Sequence, residues 1–434
     1  MTTGTRTIHG TVMQTPVPTA LEVLPECTIE VGPDGRILSI RPDSPADGAD
    51  VVLGSDLVIL PGLVDTHLHA PQWPQLGTGL DLPLEDWLFQ HTFPLEARFD
   101  DETYATSVWE RMVPTLLAHG TTTVAYHASI HVGATTLLAR TCIRHGQRAF
   151  VGRVAMDHPD GTPEWYRDTS PTRSVERSLE SILAIRALDD PFGLVRPIVT
   201  PRFVPACTDA ALTGLAELAA STGTTVQTHC SESDWEHAHV LGRTGVSDTA
   251  ALDRFGLLRD NTLLAHATHI DDDDRRTIAD RRAGIGHCPL SNTYFANRPF
   301  SGRRAIDAGI AVGLGTDVAG GPSPSLLAQC SHAVDASRRL DDLHLDLIPA
   351  RIDIVTAFWM ATIGGAMALG LDVGLLAVGR PFDAIAVSTH RLGVDPDLDG
   401  PDRIFEKLIR LAGRDDVREV WVAGRRVAGT SVET

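Results

Sequence analysis

Lysine is nearly absent from this 434-residue chain, which carries one lysine, Lys407, among its 37 basic residues. The scarcity excludes the phosphate-binding loop that requires Gly-Lys-Ser/Thr. An enzyme that forms a Schiff base would have to use Lys407 itself, close to the C-terminus. The middle of the chain also offers no lysine that could be carbamylated to bridge two metal ions. Arginine therefore supplies almost every cationic side chain.

Positive charge as a whole is in deficit, because 56 acidic residues outnumber the 37 basic ones and leave a formal net charge of −19. Phosphate backbones repel such a surface, so we expect no nucleic-acid partner. No apolar run reaches the length of about 18 residues that a membrane span requires, so we expect no membrane partner.

Signals for export and for disulfides are also lacking. The N-terminus MTTGTRTIHG does not show the basic and apolar segments of a signal peptide. The six cysteines are scattered without a Cys-x-x-Cys pair, which excludes a zinc ribbon and a disulfide framework. We therefore expect a cytoplasmic, reduced protein.

Short apolar runs, many with polar ends, recur along the chain and predict strands that are buried on both faces, as in a parallel sheet. The eight runs are 57–69, 121–129, 148–157, 195–203, 224–232, 261–268, 283–292 and 310–321. Helical patterns lie between them, at 101–120, 208–223 and 271–284, each with a glycine at its end. Eight strands alternating with helices predict an α/β fold, a (β/α)₈ barrel of the TIM type.

The two ends of the chain are β-like. The segment TIEVGPDGRILSI has two such runs joined by a Pro-Asp-Gly turn, and DAIAVSTH and REVWVAGRRVAG follow near the C-terminus. We predict a small β-sandwich-like domain formed by residues 1–60 and 375–434, with the barrel in residues 61–374.

Active sites of such barrels lie at the carboxyl ends of the strands, so the polar ends of the runs should converge. His67 and His69 are two apart on one strand and share a face. Three further runs contribute His229, His266 and Asp317. Imidazoles and a carboxylate in this arrangement predict a divalent metal site, for Zn²⁺ or Fe²⁺.

Three other residues near these strand ends need separate interpretation. His127 and His287 also lie at strand ends and are candidates for groups that support the ligands. Glu232 follows His229 by three residues, close enough to the metal to move protons between water and substrate. The alternative for Glu232 is that it caps a helix beginning near Ser231.

The motifs PGLVDTHLH, HCSE, LLAHAT and GLGTDVAGG resemble those of the amidohydrolase superfamily, in its mononuclear deaminase branch. Other segments are similar to the guanine deaminase family over almost the whole chain. They are HAPQW, GTGLDLPLEDWLFQHTFPLEARF, GQRAFVGRVAMD, RPIVTPRF and HCPLSN. Two segments depart from that family's pattern, TYFANRPFSGRRA after Asn292 and SDWEHAHV after Glu232.

The resemblance implies hydrolytic deamination of guanine to xanthine and ammonia by a metal-bound hydroxide, in a homodimer. It implies one Zn²⁺ per chain, with Fe²⁺ as the alternative. The implied ligands are His67, His69, His229 and Asp317. Glu232 would be the proton shuttle, His266 would polarise the water or the intermediate, and Asp317 would also take part in catalysis. Gln72, Arg202 and Phe203, together with His229, would hold the substrate ring.

Three alternatives to this interpretation stay open. The same machinery would deaminate a related ring such as 8-oxoguanine, a pterin or an aminotriazine. A non-catalytic metal-binding protein is a further alternative, although it would not need Glu232. Arg202 could be a structural ion-pair residue, but its donors also suit the C6 carbonyl of guanine and not the amine of adenine.

Overall fold

The computed structural model describes residues 4–296, 298–343, 349–395 and 397–429. The strands are β1 Arg6–Val17, β2 Ala20–Val31, β3 Ile37–Arg41, β4 Val51–Val52, β5 Leu57–Pro61, β6 Leu63–His69, β7 Thr121–His127, β8 Arg148–Gly152, β9 Val154–Ala155, β10 Val195–Pro197, β11 Thr200–Pro201, β12 Gln227–Cys230, β13 Leu263–His266, β14 Gly284–His287, β15 Ala311–Leu314, β16 Ala384–Ser388, β17 Val417–Val422 and β18 Arg425–Gly429.

Helices separate the strands and cover the barrel. The α-helices are α1 Leu84–Trp87, α2 Phe93–Ala97, α3 Glu102–Ala118, α4 Val132–His145, α5 Pro171–Arg186, α6 Asp209–Thr222, α7 Asp234–Thr244, α8 Asp248–Arg254, α9 Asp272–Asp280, α10 Pro289–Ser291, α11 Gly302–Asp307, α12 Leu326–Asp342, α13 Ile354–Trp359, α14 Gly365–Ala368 and α15 Pro401–Leu411. Within the described ranges, no helix is both long enough and apolar enough to cross a membrane.

The central sheet is parallel and runs in the order β10-β8-β7-β6-β15-β14-β13-β12. It closes into a barrel because Val199 and Val226 form a parallel bridge between the β10–β11 segment and the segment that leads into β12. The side chains of Leu68, Val124, Leu264 and Leu314 are fully buried in the core. The predicted (β/α)₈ barrel is confirmed, with each of the eight runs contributing strand residues.

A second sheet gathers strands from both ends of the chain, in the order β18-β17-β16-β5-β1-β2-β3, with β4 paired to β1. Its separate apolar core includes Val12, Ile29, Ile59, Phe382 and Trp421. The predicted β-domain formed by both termini is therefore confirmed. Its exact boundaries at 60/61 and 374/375 stay a prediction.

The first apolar run, 57–69, forms two strands instead of one. Its first half, β5, pairs with β1 and β16 in the terminal sheet, and its second half, β6, belongs to the barrel. The division falls at Gly62, where a Cβ atom would lie 2.3 Å from Oγ1 of Thr122. A side chain at this position would collide with the neighbouring strand, so a glycine marks the crossing between the sheets.

Helix ends follow the sequence pattern at one predicted site and depart from it at another. The helix α6 ends at Gly223 in a left-handed conformation, as predicted, and Thr208 caps its start through its side chain. The prediction that the helix in 271–284 runs to Gly284 is wrong, because α9 ends at Asp280. Gly284 instead begins β14, where a Cβ atom would lie 2.6 Å from the Cβ atom of Ala368.

The C-terminal helix α15 packs against α12 and α13, on the outside of the barrel. It carries Lys407, whose Nζ donates hydrogen bonds to the carbonyl of Gly393, at 2.6 Å, and to the carboxylate of Asp399. The single lysine of the chain is therefore engaged locally with the segment that precedes its own helix.

Candidate metal centre and active site

Five side chains predicted to converge are brought together at the carboxyl ends of the barrel strands. His67 and His69 lie on β6, His229 lies on β12, His266 ends β13, and Asp317 follows β15 by three residues. All five are at most 5% exposed. The possible ligand atoms of His67, His69 and His229 lie within 4.8 Å of one another, and so do those of His67, His266 and Asp317.

The distances inside this cluster suit a shared cation. Nε2 of His69 lies 2.9 Å from Nε2 of His229, and Nε2 of His67 lies 3.2 Å from Oδ1 of Asp317. Ring nitrogens that face each other so closely need either a proton or a metal ion between them. Three imidazoles and one carboxylate form a donor set that Zn²⁺ or Fe²⁺ accepts.

Protonation in the cluster also fits metal binding. The backbone carbonyl of Arg202 accepts a hydrogen bond from Nδ1 of His229 at 2.6 Å, which leaves Nε2 with its lone pair directed at the cluster. Burial, together with neighbouring imidazoles, lowers the pKa of His69 and of His229 well below the usual range. Neither ring nitrogen of His67 has a hydrogen-bond partner among the described residues. Neutral imidazoles with free lone pairs are what a metal site requires.

The loop that carries Asp317 is fastened to β6. The buried carboxylate of Asp65 accepts hydrogen bonds from the backbone N–H of Thr316 at 3.0 Å, from the Thr316 hydroxyl at 2.5 Å and from the N–H of His67 at 3.1 Å. Burial raises the pKa of Asp65 to about 6, although these hydrogen bonds oppose the shift. At Gly320, a Cβ atom would lie 2.6 Å from Oδ2 of Asp317. The Asp317 carboxylate is therefore fixed in position and closely surrounded by other atoms.

Glu232 does not cap the following helix. That role belongs to Ser233, whose hydroxyl accepts a hydrogen bond from the N–H of Glu236 at the start of α7. The Glu232 side chain is buried, and its Oε1 lies 3.7 Å from Nε2 of His266. Burial and the nearby charge of Asp317 raise the pKa of Glu232 to about 8. The carboxyl group is therefore placed at the cluster and holds a proton readily.

Two residues that received no role from the sequence hold the backbone of Ser231 and Glu232 in place. A carboxyl oxygen of Glu236 accepts the backbone N–H of Glu232 at 2.7 Å, and Oδ1 of Asp248 accepts the N–H of Ser231 at 3.3 Å. Burial and the charge of Asp248 raise the pKa of Glu236 well above the usual range. Glu236 therefore keeps its proton to a higher pH than an exposed glutamate does. The signal in the sequence that could have found Glu236 is an acidic residue at a position where the helix α7 is buried.

Glu236→Ala is expected to lower the free energy of unfolding by about 2–3 kcal/mol, because it leaves a cavity and an unpaired buried N–H. Glu236→Gln is expected to cost less than about 1 kcal/mol, because its amide can accept from Glu232 and donate to Asp248. Denaturant unfolding of both variants measures the difference. Equal losses would contradict a protonated Glu236 that the amide of glutamine can replace.

The sign of the pH dependence follows from the raised pKa of Glu236. The native state keeps a proton that the unfolded chain releases above about pH 4.3, so this group contributes less stability as the pH rises above that value. Glu236→Gln removes this contribution. The difference in unfolding free energy between the wild type and the variant should therefore shift in favour of the variant from pH 5 to pH 7.

Three further residues complete the surroundings of the cluster. Nδ1 of His266 lies 2.9 Å from Oδ1 of Asn292, which directs Nε2 of the imidazole toward the site. Asn292 was not assigned a role from the sequence, although it lies in the HCPLSN motif. The His127 ring centre lies 4.6 Å from that of His67, and its ring nitrogens have no hydrogen-bond partner in the part of the chain described. Burial lowers the pKa of His287 to about 3.

A cavity opens beside the cluster. Its polar lining consists of His69, Gln72, Arg202, His229, Glu232 and Asp317. Leu84, Trp87, Leu88, Phe203 and Phe295 supply its apolar walls. All four residues predicted to hold a ring therefore line one cavity with the metal-binding residues. Phe295 comes from one of the two segments that depart from the guanine deaminase pattern.

The position of Arg202 is compatible with both of the roles considered for it. Its guanidinium lines the cavity and also forms an ion pair with the buried carboxylate of Glu96, at 2.6 Å and 3.1 Å. Burial lowers the pKa of Arg202, but the Glu96 charge more than offsets this, and the net pKa is raised. Glu96 was not assigned a role from the sequence, although it lies in the quoted TFPLEARF stretch.

Comparison with known proteins identifies the family. A model described as the amidohydrolase family matches residues 58–427. The chain belongs to the amidohydrolase family. This amidohydrolase is 38% identical over 379 residues to the probable guanine deaminase of Schizosaccharomyces pombe, with 86% of this chain and 71% of the relative covered. It is 35% identical to the guanine deaminase of Dictyostelium discoideum, with 85% and 82% covered.

A solved structure agrees with the sequence relatives. The guanine deaminase from C. acetobutylicum, with bound guanine in its active site, matches this amidohydrolase with a TM-score of 0.91 and 29% identity. The match covers 98% of this chain and all of the other. The similarity to guanine deaminases that the motifs indicate is therefore confirmed.

Proposed function

We propose that this amidohydrolase hydrolytically deaminates guanine to xanthine and ammonia. The observation that carries the proposal is the cavity itself, in which Gln72 and Arg202 face the same space as Glu232 and the metal-binding cluster. The curated relatives and the guanine-bound structure support this choice of ring. The acidic net charge of the chain favours a free base over a polynucleotide.

We further propose one Zn²⁺ per chain, with Fe²⁺ as the alternative. His67, His69, His229 and Asp317 would hold the ion, since they supply the three imidazoles and the carboxylate of the cluster. A divalent ion held by these residues would supply the Lewis acidity that makes water a nucleophile near neutral pH. The neutral imidazoles and the fixed Asp317 carboxylate fit this role.

In the overall reaction, water supplies the oxygen that remains on C2 of guanine, and the C2–N bond to the amino group breaks. Glu232 takes one proton from the water and delivers it to the ring nitrogen next to C2, where it stays in xanthine. The second proton of the water passes to the amino group as the C2 carbonyl forms, and the amino group leaves as ammonia. The Nε2 atom of His266 points toward the reacting groups and polarises them. Asp317 orients the attack of the water on C2. Phe203 forms an apolar wall against the ring.

Arg202 and Gln72 bind the ring in its plane, as such side chains bind bases elsewhere. The Arg202 guanidinium has donors only, so it can bind the C6 carbonyl of guanine and cannot accept from the C6 amine of adenine. A buried donor left unpaired costs binding energy, which should exclude adenine strongly. Recognition of the C6 carbonyl by Arg202 is therefore the proposed basis of substrate specificity.

The purified protein is expected to release ammonia from guanine and to leave adenine almost unchanged. The assay compares guanine, 8-oxoguanine, pterins, adenine, cytosine and aminotriazines at equal concentrations, with xanthine formation followed separately. A higher kcat/KM on 8-oxoguanine, a pterin or an aminotriazine would replace guanine as the substrate and keep the chemistry. No ammonia from any ring, with metal bound, would favour a non-catalytic protein.

We also propose a homodimer, as the resemblance to guanine deaminases implies, and a cytoplasmic location. All six cysteines are unpaired and buried, which suits a reducing compartment. Light scattering of the purified protein measures the mass directly. A monomer at micromolar concentration would contradict the dimer and leave the deaminase proposal unaffected.

A further inference from the structure

Glu96 is fully buried behind the wall of the cavity, at the C-terminal part of the short helix α2. Four hydrogen bonds converge on its carboxylate from three other parts of the chain. Two come from Arg202, one comes from Nε2 of Gln72 at 3.0 Å, and one comes from the hydroxyl of Tyr166 at 3.1 Å. Glu96 itself does not line the cavity.

The contacts determine which way the amide of Gln72 faces. Its Oε1 accepts the backbone N–H of Ala319 at 3.0 Å, and its Nε2 donates to Glu96. An amide turned the other way would place its oxygen against a carboxylate and its NH₂ against an N–H donor. The second hydrogen of Nε2 is thus left for the cavity, so Gln72 presents a donor there.

Arg202 is held in the same manner. The two terminal nitrogens of its guanidinium bind the two oxygens of Glu96, and its Cζ lies 5.1 Å from the ring centre of Phe93, which is also on α2. A bidentate pair fixes the plane of the guanidinium as well as its position. The remaining N–H groups of Arg202 then face a defined direction.

We propose that Glu96 is a positioning residue, which orients Arg202 and Gln72 so that both present hydrogen-bond donors to the cavity. These donors select rings that carry hydrogen-bond acceptors on the edge that faces them. The inference rests on the proposed function, because it explains how the same cavity reads a guanine-like ring. Glu96 touches no reacting atom and acts through the two side chains that it holds.

The test compares guanine with 2-aminopurine, which keeps the reacting amino group at C2 and lacks the C6 carbonyl. In Glu96→Gln, the new amide NH₂ opposes the guanidinium, so the donors lose their orientation. We expect kcat/KM for guanine to fall at least about tenfold, mainly through KM, and that for 2-aminopurine to change about threefold or less. The guanine-to-2-aminopurine ratio is the readout.

Two further variants separate positioning from stability. Glu96→Gln should cost less guanine activity when added to Arg202→Ala than it costs in the wild type, because part of its effect passes through Arg202. Asp383→Asn is the matched control, since Asp383 forms a buried bidentate ion pair with Arg148 outside the cavity. It should lower the melting temperature without changing the substrate ratio. If Glu96→Gln does not fold, Glu96→Asp gives the same comparison with the charge retained.

The outcomes for Glu96 and for the proposed function are distinct. If the wild type turns over guanine but Glu96→Gln leaves the guanine-to-2-aminopurine ratio of kcat/KM unchanged, the role of Glu96 is overturned and the proposed function stays in place. Absence of wild-type turnover on guanine would overturn the function. Calorimetric affinities for guanine and 2-aminopurine then test Glu96 alone, and equal affinity ratios in wild type and variant would overturn its role.

Discussion

Glu232→Gln is expected to reduce kcat on guanine by roughly 100-fold or more, while the metal content and the fold stay unchanged. A glutamine has the shape of glutamate but cannot take up and release a proton, and general acid–base groups contribute factors of about 10² to 10⁴ to the rate. Glu232 is buried at the cluster, with Oε1 3.7 Å from Nε2 of His266, so its carboxyl group is in place to move that proton.

Steady-state kinetics, metal analysis and a melting curve are measured together on this variant. Glu217→Gln serves as the matched control, because Glu217 lies on the exposed face of α6. It should behave as the wild type in all three measurements. Near-normal turnover in Glu232→Gln would show that another group moves the proton, and it would return Glu232 to a structural role.

His67→Ala is expected to lose both the bound metal and all measurable activity. Three overlapping groups of described residues could hold an ion, and His67 takes part in two of them, one with His69 and His229 and one with His266 and Asp317. Its loss removes the ligand that joins these two groups. Each chain of the wild type should contain about one ion, as expected for four ligands around one site. Chelation should abolish turnover, and Zn²⁺ or Fe²⁺ should restore it.

Elemental analysis of wild type and His67→Ala, prepared in parallel, measures the metal directly. His332→Ala is the control, because this histidine lies on α12, away from the cavity. Two tightly bound ions per chain, both needed for turnover, would contradict the mononuclear centre. Full activity in His67→Ala would remove this residue from the ligand set.

The barrel and the convergence of the candidate metal ligands could be predicted because both follow from local patterns. A run of buried residues predicts a strand, and a polar residue at its carboxyl end must face the same side of the barrel as the others. His67, His69, His229, His266 and Asp317 meet for this reason. The conclusion required no knowledge of how the strands are ordered.

Contacts between distant parts of the chain could not be predicted in this way. Glu96 and Arg202 are 106 residues apart, and no periodicity connects a short helix before α3 with a strand end after β11. The helix cap at Ser233 was missed for a different reason, because Ser231, Glu232 and Ser233 all have polar side chains suited to capping. Only the backbone geometry distinguishes them.

The place of Lys407 has a practical consequence for chemical labelling. Reagents that attack primary amines find one side chain in the whole sequence, apart from the terminal amine of the chain. That side chain lies on α15, which contributes no residue to the cavity, and it is tethered to Asp399 and Gly393. A fluorophore or a solid support attached at Lys407 would therefore leave the mouth of the barrel open to substrate.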